Sequence, residues 1–511
     1  MFTYLRSLIF RENSLKGASW ILVVTLALSN ILGVIRDHFL ASSLPTDRLD
    51  IYYAAFRLPD LVFNLLILGA IAAAVIPVMS RALKEDEKNA WRLSANMINA
   101  GLVLLVGALA ILYFLLPLIL PRLFHDFSEI KIHETVTLAR WMLLSPLFFA
   151  ISYFFGSLLN VRKRFLIYAL APLVYNLSII IATIMGVERY GVRAPVAGVI
   201  IGAALHMLVQ LPAVLMLGFR PRLMLNFREP SLARIYRLMI PRALALGANQ
   251  IQLLVFTAFA STISGAIAIY NLSDNIQTVP TVILGNSFAT AVFPRLSGLY
   301  DDDKEAFRQL LLKVSRLVLF LIVPAAAGRC LLRAQIVRLI LGYGYFGWAD
   351  TRATVDTVGL FAVGIIAQGL IPLLTRAFYA LEDSRFPMKA TVMSVIVGIA
   401  IGYIALPTFG VAGLAMGFSL SSWVNFFILL FGLEAKAKLK ITDAFWETIG
   451  QILVLTVIMA LAMQTSKIIM ANIVDIDTVV GLFAQAVIAI IVGGAVYLGG
   501  AWLWRIPEIR K

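Results

Sequence analysis

Apolar stretches of about 20 residues recur along the whole chain, and they constrain its fold more than any other feature. Each stretch is long enough to cross the hydrocarbon core of a bilayer as an α-helix. A crossing segment must satisfy its own backbone polar groups, so only helices and closed barrels are possible. Barrel strands would give short segments of alternating polarity. We therefore predict an all-α integral membrane protein.

The apolar stretches predict about fourteen transmembrane helices. The composition agrees, because 61% of the 511 residues are hydrophobic and 14% are charged, whereas soluble domains carry about 25% charged residues. The first, second, seventh and eighth predicted helices are the least apolar. Their approximate centres are residues 29, 68, 250 and 285.

Basic residues set the predicted topology. The net charge of +15 would suggest a nucleic-acid partner in a soluble protein, but in a membrane protein it marks cytoplasmic loops. Lys and Arg crowd alternate connections, which places both termini in the cytoplasm, and we expect no nucleic-acid partner. One region disagrees with this alternation, because Arg329, Arg333 and Arg338 fall where the chain should face outward.

The chain repeats itself at an offset of about 217 residues. Ala72-Ala73-Ala74-Val75-Ile76-Pro77 returns as Ala289-Thr290-Ala291-Val292-Phe293-Pro294, and Val196-Ala197-Gly198 returns as Val411-Ala412-Gly413. Each half carries about six predicted helices, so the halves form parallel repeats. The predicted domains are an N-terminal lobe, a basic interfacial linker, a C-terminal lobe and an additional helix pair with a cytoplasmic tail: 1–217, 218–233, 234–433 and 434–511.

Sequence signals for cofactors, metals and catalysis are missing. The four histidines have no metal-ligand spacing, and no Walker loop is present. The single cysteine, Cys330, excludes an internal disulfide. We therefore expect no cofactor, no metal site and no enzymatic activity.

Polar residues follow helical spacing in the four least apolar helices. Ionisable groups at membrane depth are costly and by default face a cavity or a partner. Because these helices open the two halves, we expect their polar faces to line one central cleft. The alternative is that Arg36–Asp37 and Arg57–Asp60 are structural pairs or extend to the membrane interface. The candidate cavity residues are Arg36, Asp37, Asp50, Arg57, Asp274, Asn30, Asn275 and Arg242.

Specific motifs lie in order between about residues 15 and 435. They are Gly33-Val34-Ile35-Arg36-Asp37; Asp50 followed by Ala55-Phe56-Arg57-Leu58-Pro59; Ala169-Leu170-Ala171-Pro172 with Tyr175-Asn176; Phe293-Pro294-Arg295-Leu296-Ser297; and Arg376-Ala377-Phe378-Tyr379-Ala380-Leu381 with Asp383 and Arg385. On these motifs the chain resembles the MurJ/MviN family of lipid II flippases, which belongs to a larger group of multidrug and oligosaccharidyl-lipid exporters.

The chain departs from the pattern that the resemblance implies. Members of the family carry cavity arginines thought to meet a lipid diphosphate, and this chain has neutral residues at the matching positions. These positions are Asn30, Phe63 with Asn64, and Asn275. Some members also place a sodium-binding Asp in the seventh helix, where this chain has Phe256. A diphosphate needs donors, and Arg is the bidentate one, so we expect weaker recognition of the diphosphate than in arginine-rich members of the family.

The resemblance implies a flippase for a polyprenyl-diphosphate-linked saccharide, with the peptidoglycan precursor lipid II favoured, that works by alternating access in the bacterial cytoplasmic membrane. The implied partners are the lipid-linked glycan, membrane lipids and, as a further option, cell-wall synthesis enzymes. Two alternatives stay open. One is a drug or small-molecule exporter of the same fold, and the other is a non-transporting scaffold for cell-wall synthesis.

Overall fold

The computed structural model describes residues 15–68, 79, 82–83, 85–229, 247–439 and 442–508. All regular secondary structure in these ranges is helical, which confirms the predicted all-α fold. The helices are α1 Leu15–Ser43, α2 Thr46–Phe63, α3 Glu87–Leu123, α4 Glu129–Met142, α5 Leu144–Val161, α6 Phe165–Tyr190, α7 Arg193–Met216, α8 residues 247–260, α9 Ala266–Pro280, α10 Ser287–Asp302, α11 Lys304–Leu341, α12 Trp348–Ala380, α13 Arg385–Phe409, α14 Val411–Ala437, α15 Asp443–Ala471 and α16 Val479–Leu503.

The helices agree with the predicted spans. Within the described residues, 10 helical segments are long and apolar enough to cross a membrane, with α4 and α5 counted together. The remaining predicted spans fall on α1, α2, α8 and the region of α9 and α10, which are the four predicted to be least apolar. The predicted arrangement of about fourteen transmembrane helices is thus accounted for along the chain.

Two turn conformations recur in the two halves of the sequence. Lys163, between α5 and α6, has φ +57°, and Glu382, between α12 and α13, has φ +56°. Gly191 ends α6 and Gly410 ends α13, and both have φ +56°. Left-handed backbone is uncommon, especially for residues other than glycine, so its recurrence at matching places indicates that the halves share their local folding.

The repeated glycine motif has the same packing role in both halves. Gly198 on α7 faces α6, where an added Cβ would lie 2.9 Å from the Ile179 Cα. Gly413 on α14 faces α13, where an added Cβ would lie 2.6 Å from the Ala405 carbonyl oxygen. Small residues let membrane helices approach closely, so the motif fixes the crossing of these two helix pairs.

A π-helical segment follows α2 in the first half and α9 in the second half. One covers Asn64–Leu68 after α2, and the other covers Thr281–Asn286 after α9. Their starting points are separated by the repeat offset of about 217 residues. At the start of each segment a side chain donates a hydrogen bond to a backbone carbonyl. Asn64 Nδ2 donates to the Asp60 carbonyl at 2.8 Å, and Thr281 Oγ1 donates to the Thr278 carbonyl at 2.7 Å. Such segments are rare and are frequent at functional sites.

The described part of the basic linker is held against α3 by amide side chains. Asn96 donates from Nδ2 to the Asn226 carbonyl at 3.0 Å, and its Oδ1 accepts the Asn226 N–H at 2.7 Å. Asn99 Nδ2 donates to the carbonyls of Arg222 and Met224 at 2.7 and 2.9 Å. These bonds satisfy backbone groups that have no helix or sheet to pair with.

Contacts divide the chain into two compact units, Met1–Ala268 and Ile269–Lys511. The predicted lobe boundaries at about 217 and 433 stay a prediction. Inside the second unit, the additional helices α15 and α16 pack on each other and on α11. Tyr497 donates its hydroxyl to the Phe320 carbonyl at 2.8 Å, and Lys467 Nζ donates to the Leu331 carbonyl at 2.6 Å. These two hydrogen bonds hold α15 and α16 against α11.

Candidate functional site

Arg36 on α1 is bound on two sides within the first unit. Its Nη2 lies 2.7 Å from Asp37 Oδ1, and its Nη1 donates to Asn176 Oδ1 on α6 at 3.1 Å. Asn176 in turn donates from Nδ2 to the Pro172 carbonyl at 3.2 Å. Asp37 is buried, so the ion pair is largely shielded from solvent. The arrangement joins α1 to α6 through charge-assisted hydrogen bonds.

Asp50 is fully buried near the start of α2 and accepts hydrogen bonds from three groups. Lys131 Nζ on α4 lies 3.1 Å from Oδ2, the Gly265 N–H donates to Oδ2 at 2.7 Å, and the Ala268 N–H donates to Oδ1 at 2.9 Å. Gly265 and Ala268 stand at the beginning of α9, where helix N–H groups have no partner within the helix. A carboxylate from α2 therefore caps α9 in the manner of an N-cap side chain.

Arg57 is a further charged candidate of the first unit and is buried on α2. Its Nε donates to Thr257 Oγ1 on α8 at 2.9 Å, and the Thr257 hydroxyl donates to the Leu253 carbonyl at 2.7 Å. The guanidinium therefore joins α2 to α8. The structure brings the candidates of the first unit onto neighbouring helices, but the four charged ones, Arg36, Asp37, Asp50 and Arg57, already have protein partners.

The remaining candidates are placed as follows. Asp274 on α9 is half-buried in the second unit and accepts a hydrogen bond from Gln277 Nε2 at 3.0 Å. Asn30 and Asn275 are also half-buried, and each has an interaction partner. Arg242 lies outside the described residues. The proposal that these residues share one cavity with those of the first unit stays a prediction.

Sequence reasoning missed three polar residues that the structure singles out. Lys131 and Asn176 are the partners of Asp50 and Arg36. Each pair is far apart in the chain, so no local sequence pattern predicts it. The third is Arg329 on α11, which is buried in the second unit and interacts electrostatically with Asp274. Its signal was present as a cation that disagreed with the charge alternation.

Outside the membrane helices, Asp383 stabilises the turn between α12 and α13. Its Oδ1 accepts the N–H groups of Arg385 and Phe386, each at 3.0 Å, and its Oδ2 is paired with Lys436. The hydrogen bond from Lys436 lowers the pKa of Asp383 below its usual value. The carboxylate therefore stays ionised and caps α13 at neutral pH.

Within the described ranges, no cluster of His, Cys, Asp and Glu could hold a metal ion.

Comparisons with known proteins agree with the motifs. A family model described as lipid II flippase MurJ matches residues 45–488. A probable lipid II flippase MurJ from Rickettsia prowazekii (strain Madrid E) is 25% identical over 484 residues, which cover 94% of this chain and 96% of that protein. The lipid II flippase MurJ of Burkholderia cenocepacia is 26% identical over 426 residues, which cover 80% of this chain and 82% of that protein.

Solved structures show the same fold. A structure described as lipid II flippase MurJ in an inward closed conformation superposes with a TM-score of 0.81 at 20% identity, covering 96% of this chain and 99% of that one. An inward-facing multidrug resistance transporter of the MATE family superposes with a TM-score of 0.67 at 14% identity, covering 83% of this chain and 99% of that one. At these identities the superpositions establish the fold alone.

Proposed function

The chain belongs to the lipid II flippase MurJ family, and on this premise we propose that it moves lipid II, a polyprenyl-diphosphate-linked saccharide, across the bacterial cytoplasmic membrane. The observation that carries the proposal is the family match over residues 45–488, which spans both halves of the repeat. The head group would enter from the cytoplasmic side and leave outward, while the lipid tail stays in the bilayer.

The proposed mechanism is alternating access driven by an ion gradient. Two similar halves that rock about a central site are a common transporter design. The paired π segments, Asn64–Leu68 and Thr281–Asn286, support this mechanism, because a π insertion is an identifiable cause of helix bending. Their equivalent positions would let the polar helices of both halves bend at matching points.

The proposed substrate cavity is lined by the residues chosen from the sequence, with Arg57 as the most informative test. Arg57→Ala should abolish transport while protein levels stay largely intact, because a charged donor to the diphosphate is lost. Arg57→Lys should be only partly tolerated, since an ammonium lacks the bidentate fork. Thr257→Val is the matched control, because it removes one hydrogen-bond partner of Arg57 and keeps the cation. Misfolding of the alanine variant would instead support a structural ion pair.

We also propose that both termini are cytoplasmic. The test starts from a Cys330→Ser background, because Cys330 is exposed and would react with thiol reagents. Ser43→Cys should then label from outside and Lys163→Cys from inside, and the reverse pattern would refute the topology. We further propose that membrane lipids and cell-wall synthesis enzymes are partners of the protein.

A drug exporter is the main alternative of the same fold, and a non-transporting scaffold is the second. The multidrug transporter shares the fold at 14% identity, whereas the family model distinguishes lipid II flippases by sequence. A transport assay separates the scaffold from both transporters, and the nature of the substrate separates the transporters from each other.

Complementation tests the proposal most simply. The gene for the full chain should restore growth to a bacterial strain depleted of its own lipid II flippase, and the Arg57→Ala variant, expressed at the same level, should not. If the intact chain is in the membrane and growth is not restored, reconstituted vesicles should be tested for lipid II movement. Absence of movement there would contradict the flippase assignment.

A further inference from the structure

Arg329 lies on the inward face of α11, one of the longest helices of the second unit. Ile322, Ala326 and Leu332 are buried on the same stripe, which shows that the helix turns this arginine toward protein. Its side chain is 7% exposed, the same value as for Arg57, and these are the two buried arginines of the described residues. A cation placed inside a membrane protein in this way is costly unless something pairs with it.

The guanidinium of Arg329 has no hydrogen-bond partner in the described part of the chain. Its Nε, Nη1 and Nη2 are all buried and unpaired, whereas the equally buried Arg57 donates to Thr257. Asp274 acts on Arg329 electrostatically but accepts no hydrogen bond from it. Buried charges in proteins are normally hydrogen-bonded, so an arginine with all three nitrogens unpaired is suited to bind an external anion.

Other buried polar atoms in the second unit also lack partners. On α9, Ser273 Oγ and Gln277 Oε1 are unpaired, although Gln277 Nε2 donates to Asp274. On α12, which packs against α11, Gln368 Nε2 is unpaired. These helices therefore present unused donors and acceptors as well as the unused cation. A ligand that satisfies groups of this kind must carry hydrogen-bonding atoms of its own, as a phosphate group or a saccharide does.

We infer that Arg329 binds the diphosphate of the transported lipid, an inference that rests on the proposed function. The planar guanidinium can give two parallel N–H donors to phosphate oxygens, which makes arginine well suited to this anion. Asp274 balances the charge while the anion is absent. Because Asn275 is neutral, Arg329 supplies the positive charge beside Asp274.

The test uses the purified full chain in detergent micelles at low ionic strength. Binding of lipid II and of inorganic pyrophosphate is measured for the wild type, Arg329→Gln and Arg338→Gln. Arg338 is a matched control, because it lies on the same helix and pairs at 3.6 Å with the exposed Asp477. Arg329→Gln should weaken both ligands by roughly 10-fold or more, and Arg338→Gln should change neither. If Arg329→Gln does not fold, Arg329→Lys keeps the charge and should give an intermediate loss.

The two ligands separate failure of this inference from failure of the proposed function. Equal binding of lipid II by the wild type and Arg329→Gln would overturn the role of Arg329 and leave the flippase proposal standing. Binding of pyrophosphate through Arg329 without binding of lipid II would support the anion site and contradict the substrate. If the wild type binds neither ligand, both proposals fail.

Discussion

Arg36 in the first unit and Arg329 in the second are both guanidinium groups on membrane helices, yet their surroundings differ completely. Arg36 is paired with Asp37 and bonded to Asn176, whereas the three nitrogens of Arg329 have no hydrogen-bond partner among the described residues. A charge with its own partners holds helices together. A charge without them is available to a ligand, at a cost to the stability of the empty protein.

Asp50 is another charge of the first unit that has its own partners, and we expect its removal to destabilise the protein most. Asp50→Ala removes the cap from the Gly265 and Ala268 N–H groups and leaves Lys131 unpaired. Losing one partner of a buried pair should lower the free energy of unfolding by about 3–5 kcal/mol. Denaturant unfolding in mixed micelles measures this. Asp47→Ala, one turn earlier on α2, is the control and should change little, and an equal effect of the two would remove Asp50 from its capping role.

A smaller loss of stability is expected at Gly265, in the turn that precedes α9. Gly265 has φ +79°, and an added Cβ would lie 2.6 Å from Thr46 Oγ1. Gly265→Ala should therefore cost about 1–2 kcal/mol from backbone strain and the clash. The double variant Gly265→Ala with Thr46→Ala should recover the part that is due to the clash. A Gly265→Ala variant as stable as the wild type would show that this turn does not need glycine.

Hydropathy predicted the helices because each membrane span must carry its own apolar surface, so the information is local. The repeat could also be recognised in the sequence, and its glycines Gly198 and Gly413 both lie close to the backbone of the preceding helix. The partners of the charged residues could not be predicted from the sequence. Asp50 is capping backbone groups more than 200 positions later in the chain, and a carboxylate at a helix start gives no signal of this.

The same limit applies to Arg329. From the sequence it was one of three cations that disagreed with the charge alternation, and nothing distinguished it from Arg338. The structure separates them, because Arg338 is partly exposed and pairs with Asp477, while Arg329 is buried without a hydrogen bond. Burial of a side chain depends on which face a helix turns toward its neighbours, and that requires the tertiary fold.

The most direct test of the comparison measures the stability of Arg36→Met and Arg329→Met side by side, without lipid substrate. Methionine keeps much of the length of the side chain and removes its charge and donors. Arg36→Met should lose about 2–3 kcal/mol of unfolding free energy, because the ion pair with the buried Asp37 and the hydrogen bond to Asn176 are lost. Arg329→Met should lose less than about 0.5 kcal/mol or become more stable, because no hydrogen bond is broken and the removed cost of burying the cation offsets the lost attraction to Asp274. A loss at Arg329 as large as the loss at Arg36 would contradict the account.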